Sequence, residues 1–418
     1  MSGRTAIVIG GSIAGLLAAL LLRRDGWTVD VFERVQTGLT GRGAGIVTHP
    51  ELFEVLRSAG IEVTPELGVQ VQTRRLLDRN GDCTAELDMP QVVTSWDRLY
   101  HELRRKLPDD HYHNGRILER IDAKNDVVTA RFTDGGSISA DLLVAADGFR
   151  SVCRSQFFPT LPLKYAGYIA WRGLVDEALI SVEARTGLFE HFAFSLPEGE
   201  QMLGYPVAGV NNDMRVGHRR YNWVWYRPAD EHVTLRNLLT DQSGLVHELS
   251  IAPPLIRPDI VAVMRQASED NLSWQFQELV GLTAQPFFQP VYDLETERMA
   301  IGRVAIIGDA AFVVRPHVGA GVTKAAQDAL SLAVNLGNAK GDVRSGLLAF
   351  ERDRLPVGKR IVAQARHLGA YMRPQSDPPE QQRVAEILSG PDAVMRETAS
   401  LAFLRSGIPC DSNRASIR

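Results

Sequence analysis

Three carboxylates in this 418-residue chain each stand at the end of a short apolar run. Glu33 follows Val29-Asp-Val-Phe32, Asp147 follows Leu142-Leu-Val-Ala-Ala146, and Asp309 follows Val304-Ala-Ile-Ile-Gly308. An ionised carboxylate is an acceptor only, so each suits a ligand that presents hydroxyl donors, such as a ribose or a ribityl chain. A glycine turn precedes them all. Thr5-Ala-Ile-Val-Ile-Gly-Gly-Ser-Ile-Ala-Gly15 is an apolar run ending in glycines, and Leu16–Arg24 continues as a helical stretch. Gly10 permits the tight turn and Gly15 lets the helix pack closely on the strand. The helix N-terminus offers free N–H groups and a partial positive charge to a pyrophosphate. Glu33 lies 18 residues beyond Gly15, placed to accept from ribose hydroxyls. The middle glycine of the usual pattern is Ser12. This β-α-β unit reads as an adenine dinucleotide site. Taken alone, any one of these motifs also reads as a structural turn.

The acids can meet on one ligand only if the runs before them are parallel strands whose carboxyl ends share a crevice. Leu142–Ala146 and Val304–Ile307 are continuously apolar, as buried parallel strands are. Around them the pattern predicts helices at Leu52–Ala59, Trp96–Leu107, Lys324–Leu336 and Ser345–Met372, and a weaker one near Gln381–Leu388. Asn80-Gly81 and Asp134-Gly135-Gly136 signal hairpins within 71–87 and 127–140. Tyr168–Val175, Gly187–Ser195, Gln201–Val207 and Asn222–Tyr226 are strand-like and aromatic, spaced as an antiparallel sheet.

Composition narrows the class. Forty-six basic and 50 acidic residues leave a net charge of −4, with no basic excess to track a nucleic-acid backbone. Arg23–Arg24, Arg104–Lys106 and Arg219–Arg220 read as solvated clusters. Cys83, Cys153 and Cys410 are scattered and odd in number, so neither a disulfide framework nor a metal spacing is visible. Glycines interrupt the first apolar run, which argues for a strand and helix rather than a secretory signal, and no run reaches the ~20 apolar residues of a membrane span. A cytoplasmic enzyme is expected.

The motifs in this order resemble the FAD-dependent aromatic hydroxylases, single-component flavoprotein monooxygenases similar to para-hydroxybenzoate hydroxylase. The resemblance covers residues 1 to about 345. It implies that Gly10, Ser12, Ile13, Ala14 and Gly15 hold the FAD pyrophosphate and that Glu33 and Arg34 hold the adenosine end. The Asp147–Arg154 segment would serve FAD and the nicotinamide cosubstrate, and Gly308-Asp309 would grip the ribityl chain. Pro316, Gly319, Ala320, Gly321 and Val322 would run beside the isoalloxazine ring. Two positions depart from the family pattern: Trp96 stands where many members have arginine, and Thr323 where many have asparagine. Gly43–Leu52, Tyr165–Gly173 and Arg315-Pro-His317 resemble the 2,6-dihydroxypyridine 3-hydroxylase branch.

The resemblance implies an α/β fold. A Rossmann-like FAD-binding domain (1–70, 95–165 and 285–345) carries an inserted antiparallel-sheet substrate domain (71–94 and 166–284), followed by a C-terminal helical region and tail (346–418). The activity it implies uses NAD(P)H and O₂ to hydroxylate a hydroxylated aromatic ring through a flavin C4a-hydroperoxide. FAD would be non-covalent. NAD(P)H would dock transiently, since no second glycine fingerprint is present. His317, Tyr205 and His49 are the candidate catalytic side chains. Trp171 and Phe194 are sheet-packing residues that could wall the ring, and His191 and His218 are expected to be solvated. A reductase or halogenase-like enzyme of the same fold, a phenol or benzoate hydroxylase, and a non-catalytic flavin binder stay open as alternatives. So does the oligomeric state, a homodimer included.

Overall fold

The computed structural model describes residues 3–39, 45–124, 126–372 and 390–405. The predicted apolar runs pair in parallel. Thr5–Ile9 lies between Thr28–Phe32 and Leu142–Ala145, and Val304–Ile306 pairs with the far side of Leu142–Ala145. Tyr112–His113 extends one edge in parallel, and Ala300–Ile301 turns back antiparallel at the other to complete six strands. The register aligns the strand ends. Ile9 is level with both Phe32 and Ala145, and Ala145 is level with Ile306. Gly10, Glu33, Asp147 and Gly308 therefore leave the sheet at one edge. Helices Ile13–Arg24 and Gly321–Asn338 bury Leu16, Leu17, Leu21, Ala329 and Leu332 in the same core as the strands.

A nine-stranded sheet forms the second layer, ordered 312–313, 287–295, 164–176, 220–228, 201–207, 191–195, 69–77, 83–95 and 45–47. It draws in 45–47, 287–295 and 312–313, segments that the sequence division leaves with the nucleotide domain. Strand alternation gives it two different faces. Ile169, Trp171, Trp223, Trp225 and Phe288 pack under helices Val182–Leu188, Pro258–Asn271 and Trp274–Leu282. Tyr168, Ala170, Phe194, Tyr205, Val224 and Tyr226 form the opposite face. Trp171 thus lies away from the aromatic face that carries Tyr205. A separate three-stranded sheet holds 118–124, 127–132 and 137–140.

Several expectations need correction. Gly187–Ser195 is a strand only from His191; Ser181 caps a helix at Val182–Leu188 by accepting from the Ala184 N–H, and this local cap outweighs the apolar pattern. His191–Ser195 runs parallel, not antiparallel, to Val69–Leu77. His191 is buried against the Thr73 hydroxyl at 2.6 Å instead of solvated, whereas His218 is exposed. Arg219 is buried too, paired with Glu177 at 2.9 Å. Gln381–Leu388 and Cys410 lie outside the described residues. Among those described, no helix is long and apolar enough to cross a membrane and no cluster could hold a metal ion.

Candidate functional site

A cleft of about 720 Å³ opens along the common strand edge, lined by Gly10, Ser12, Glu33, Arg34, Asp147 and Arg150 among others. Gly10 has φ +102°, and a Cβ there would lie 2.3 Å from the Ala146 carbonyl oxygen. No other residue fits so close to the neighbouring strand. Glu33 is buried, and its carboxylate accepts from the Gly11 N–H at 2.8 Å and the Val35 N–H at 3.0 Å. The carboxylate therefore orders the glycine turn as well as standing at the strand end. Helix Ile13–Arg24 begins with no side-chain cap and no acid in its first turn. Its positive end is left to the cleft, as an anion site requires.

The remaining strand ends converge here. Asp147 accepts from the Ser151 hydroxyl at 2.6 Å and the Cys153 N–H at 3.1 Å, which turns the chain into helix Val152–Phe157. Arg154 is buried. It donates to the carbonyls of Phe149 at 2.7 Å, Ala310 at 3.1 Å and Asp309 at 3.4 Å, bracing one strand-end loop against the other. Gly308 has φ +62°, and a Cβ there would sit 3.3 Å from Ala14 and 3.4 Å from Ala325. The turn is thus wedged between the starts of the two long helices. Asp309 is exposed beside it. Protein nonetheless crowds around its carboxyl, and desolvation raises its pKa above the usual value, opposed by Lys324 and reinforced by Asp328. Lys324, fully buried, donates to the Gly308 carbonyl at 2.7 Å. Asp328 accepts from the Gly308 N–H at 3.1 Å and pairs with Arg354 at 2.8 Å. Both polar groups of Gly308 are therefore held by one buried ionic cluster.

Pro316–Val318 makes a short 3-10 turn, Gly319 takes φ +60°, and helix Gly321–Asn338 starts with no side-chain cap. His317 is buried here. Its Nε2 hydrogen-bonds the Tyr168 hydroxyl at 2.9 Å, its ring lies 4.2 Å from the Tyr226 ring, and its Nδ1 has no partner among the described residues. Burial, aided by Arg315, pulls its pKa down to about 3, so the ring is neutral at ordinary pH. His49 follows strand 45–47, at the far edge of the nine-stranded sheet. Its Nδ1 bonds the Thr323 hydroxyl at 2.9 Å and burial lowers its pKa to about 4. It lines a separate cavity of about 430 Å³ with Glu51, Gln91 and Arg405. Tyr205 is buried against Phe192, with ring centroids 4.9 Å apart.

Sequence reasoning passed over Arg172. It shares the sheet face of Tyr168 and Ala170 by strand alternation, and its Nε is buried without a partner among the described residues. Its charge acts on both Tyr205 and Tyr226, offsetting the burial that raises their pKa values. A basic residue in phase with the aromatic face of a buried strand was the available signal. Tyr168 and Tyr226 were passed over as well, because the His317 ring they meet is distant in sequence, and so was Lys324, read only as the start of a helix.

These features fit an adenine dinucleotide with a polyol arm. The cleft has the size, the uncapped helix has the charge, the strand-end acids supply hydroxyl acceptors, and a second uncapped helix faces the loop at Pro316–Gly321. Comparison with known proteins agrees. The family model described as "FAD binding domain" matches residues 4–171 and 289–365, and one described as "FAD binding domain-like" matches 165–293. The chain is 32% identical over 377 residues to 2,6-dihydroxypyridine 3-monooxygenase of Paenarthrobacter nicotinovorans, covering 87% of this chain and 92% of that protein. It is 29% identical over 374 residues to 3-amino-4-hydroxybenzoate 2-monooxygenase of Streptomyces cremeus, covering 86% of each. The solved structure of 2,6-dihydroxypyridine-3-hydroxylase from Arthrobacter nicotinovorans superposes with a TM-score of 0.83 at 31% identity, covering 90% of this chain and 94% of that one.

Proposed function

The chain belongs to the FAD binding domain family and is an FAD-dependent aromatic monooxygenase, and from that premise we propose that its substrate is a single-ring hydroxylated N-heterocycle of the dihydroxypyridine kind. Bound FAD supplies the electrons taken from NAD(P)H and the activation of O₂ that places one oxygen atom on the ring. In this reading the turn from Gly10 to Gly15 holds the pyrophosphate, with Ser12, Ile13 and Ala14 contributing helix N-terminal amides. Glu33 and Arg34 stand at the adenosine end. Gly308 and Asp309 meet the ribityl chain, with Asp147 and Arg154 bracing the turn. Pro316, Gly319, Ala320, Gly321 and Val322 lie along the isoalloxazine.

The carrying observation is Arg172, a guanidinium whose buried Nε has no partner among the described residues, on the same sheet face as Tyr168, Tyr205 and Tyr226. An electron-rich ring reacts best when a ring hydroxyl is ionised, and a fixed cation in a dry site favours that ionised form. His317 is held neutral, so it serves as a hydrogen-bond partner that orients the ring rather than as a store for its proton; a base works best with a pKa near the working pH. Tyr205 and Tyr226 bound the ring and offer hydroxyls. Dependence on NAD(P)H fits a cytoplasmic setting. The test is NAD(P)H oxidation by purified holoprotein across hydroxypyridines, phenols and hydroxybenzoates, with product identification. Hydroxylation confined to the hydroxypyridines, and weaker binding of their anions by Arg172→Met, is expected. Preference for a benzoate would refute the substrate assignment.

A further inference from the structure

In sequence, residues 346–418 read only as a C-terminal helical region and tail, yet beyond the long helix Val343–Gly369 the chain returns to the molecular interior. Val394, Met395, Thr398, Ala399 and Leu401 are all buried, and Val394, Met395 and Ala399 join the aromatic face of the nine-stranded sheet that carries Tyr168, Tyr205 and Tyr226. A buried cation holds them. Arg74, on strand Val69–Leu77, is fully buried. Its guanidinium donates to the carbonyls of Met395 and Thr398 and to the side chain of Gln91. Gln91 in turn donates to the Ala399 carbonyl at 3.1 Å. A buried charge is costly unless its donors are satisfied; the Arg74 Nε has no partner among the described residues, and of the three acceptors its two terminal nitrogens find, this one short segment supplies two.

The segment then grips the loop on the other side. The Ala399 N–H donates to the His317 carbonyl at 2.8 Å. Ala399 itself is held at φ +52°, a left-handed conformation that a residue with a Cβ adopts only when its surroundings impose it. Its methyl group sits where a side chain on Gly319 would be: a Cβ on Gly319 would come within 2.8 Å of it. Leu401 packs with Val318 and Ala320 in one buried cluster. Arg74, Gln91, Ala399 and the turn at His317–Ala320 therefore form a single chain of contacts from the sheet to the loop.

We infer that residues 394–401 are a strap that seats the loop at 316–321 against the aromatic sheet face, with Arg74 and Gln91 as positioning residues acting through Ala399. Packing for stability alone could have used any apolar groove; this strap bonds the backbone of the residue whose ring borders Tyr168 and Tyr226. The consequence for chemistry rests on the reading of that loop as the one beside the flavin: a seated loop keeps the ring chamber shut to water, and a loose one lets reducing equivalents escape as hydrogen peroxide.

The experiment compares wild type with Arg74→Met, Arg74→Lys and Gln91→Met. Peptide-resolved hydrogen exchange over 314–322 and product formed per NAD(P)H consumed are both measured on the holoenzyme. Arg74→Met should melt cooperatively yet exchange about tenfold or more faster in 314–322 than wild type, the factor expected for losing hydrogen bonds to a charged group. The core strands Thr5–Ile9 and Leu142–Ala145 should exchange unchanged, and coupling should fall. Arg74→Lys, which keeps one charged donor, should recover part of both. A folded Arg74→Met with wild-type exchange in 314–322 overturns the strap. Should that variant not fold, Gln91→Met decides by the same two readouts, and wild-type values overturn it. Exchange needs no substrate, so failure to hydroxylate any ring would refute the functional proposal and leave this test standing.

Discussion

Replacing Asp309 with asparagine separates binding from folding. The residue is exposed beside the Gly308 turn, and its pKa is raised because protein crowds the carboxyl more than Lys324 and Arg154 compensate. The apoprotein therefore gains nothing from ionising it. Linkage fixes the sign: a carboxyl with a raised folded pKa disfavours the folded state once pH rises above its ordinary value. Asparagine removes that cost, so apoprotein melting at neutral pH should stay level or rise, and should match wild type well below the ordinary carboxyl pKa. FAD binding should change the other way. A hydrogen bond to a charged group contributes about 1.5–3 kcal/mol and one between neutral groups about 0.5–1.5, so a loss of about 1–1.5 kcal/mol is expected, or roughly 5- to 12-fold in Kd. Asp309→Ala, losing the acceptor outright, should reach about 12- to 150-fold on the same scale. The assay is fluorescence titration of deflavinated protein with FAD beside apoprotein melting curves. Unchanged affinity in both variants would show that Asp309 does not meet the ribityl chain, and collapse of the apoprotein fold would refute the argument that folding gains nothing from its ionisation.

His317→Ala should retain FAD, because the glycine turn and Asp309 remain, but lose about 10²-fold in hydroxylation as the ring loses its orienting partner; a wild-type rate in steady-state product assays would remove His317 from the site. Tyr205→Phe should raise substrate KM or lower product per NAD(P)H, measured together by oxygen uptake and product yield, and wild-type values for both would make Tyr205 a packing residue only. His49, buried with a pKa near 4 against an ordinary 6.5, binds its proton more tightly when unfolded. It contributes stability fully present above pH 6.5 that is lost as pH falls towards 4, about 3 kcal/mol over that window. Melting curves from pH 8 to 4 should show a loss to which His317, with its pKa near 3, also contributes, and His49→Gln should remove only the His49 share, leaving a shallower slope.

The nucleotide half of the site was legible because its signals are local. Gly10, Glu33, Asp147 and Asp309 each follow their own apolar strand, and parallel pairing in register is enough to bring them to one edge. The aromatic face of the nine-stranded sheet was less so. Tyr205 and His317 were named from the sequence as candidates, whereas Arg172 lay in a segment read as an aromatic strand, and only strand alternation puts it on the face they share. His49 was grouped with them, although it hydrogen-bonds Thr323 and lines another cavity. Lys324 and Asp328 fall in a stretch read only as a helix; the approach of the Gly308 turn is what holds them in the interior. The returning segment at 390–405 was invisible because its order comes from Arg74 and Gln91, some 300 residues earlier in the chain, not from any periodicity of its own.

The most direct test of the central claim is oxygen-isotope labelling. Holoprotein given NAD(P)H, a 2,6-dihydroxypyridine and ¹⁸O₂ should yield a ring product carrying one ¹⁸O atom, with close to one NAD(P)H consumed per product and little peroxide. NAD(P)H oxidation that yields only labelled hydrogen peroxide from every ring offered, or a product whose new oxygen comes from water, would contradict it.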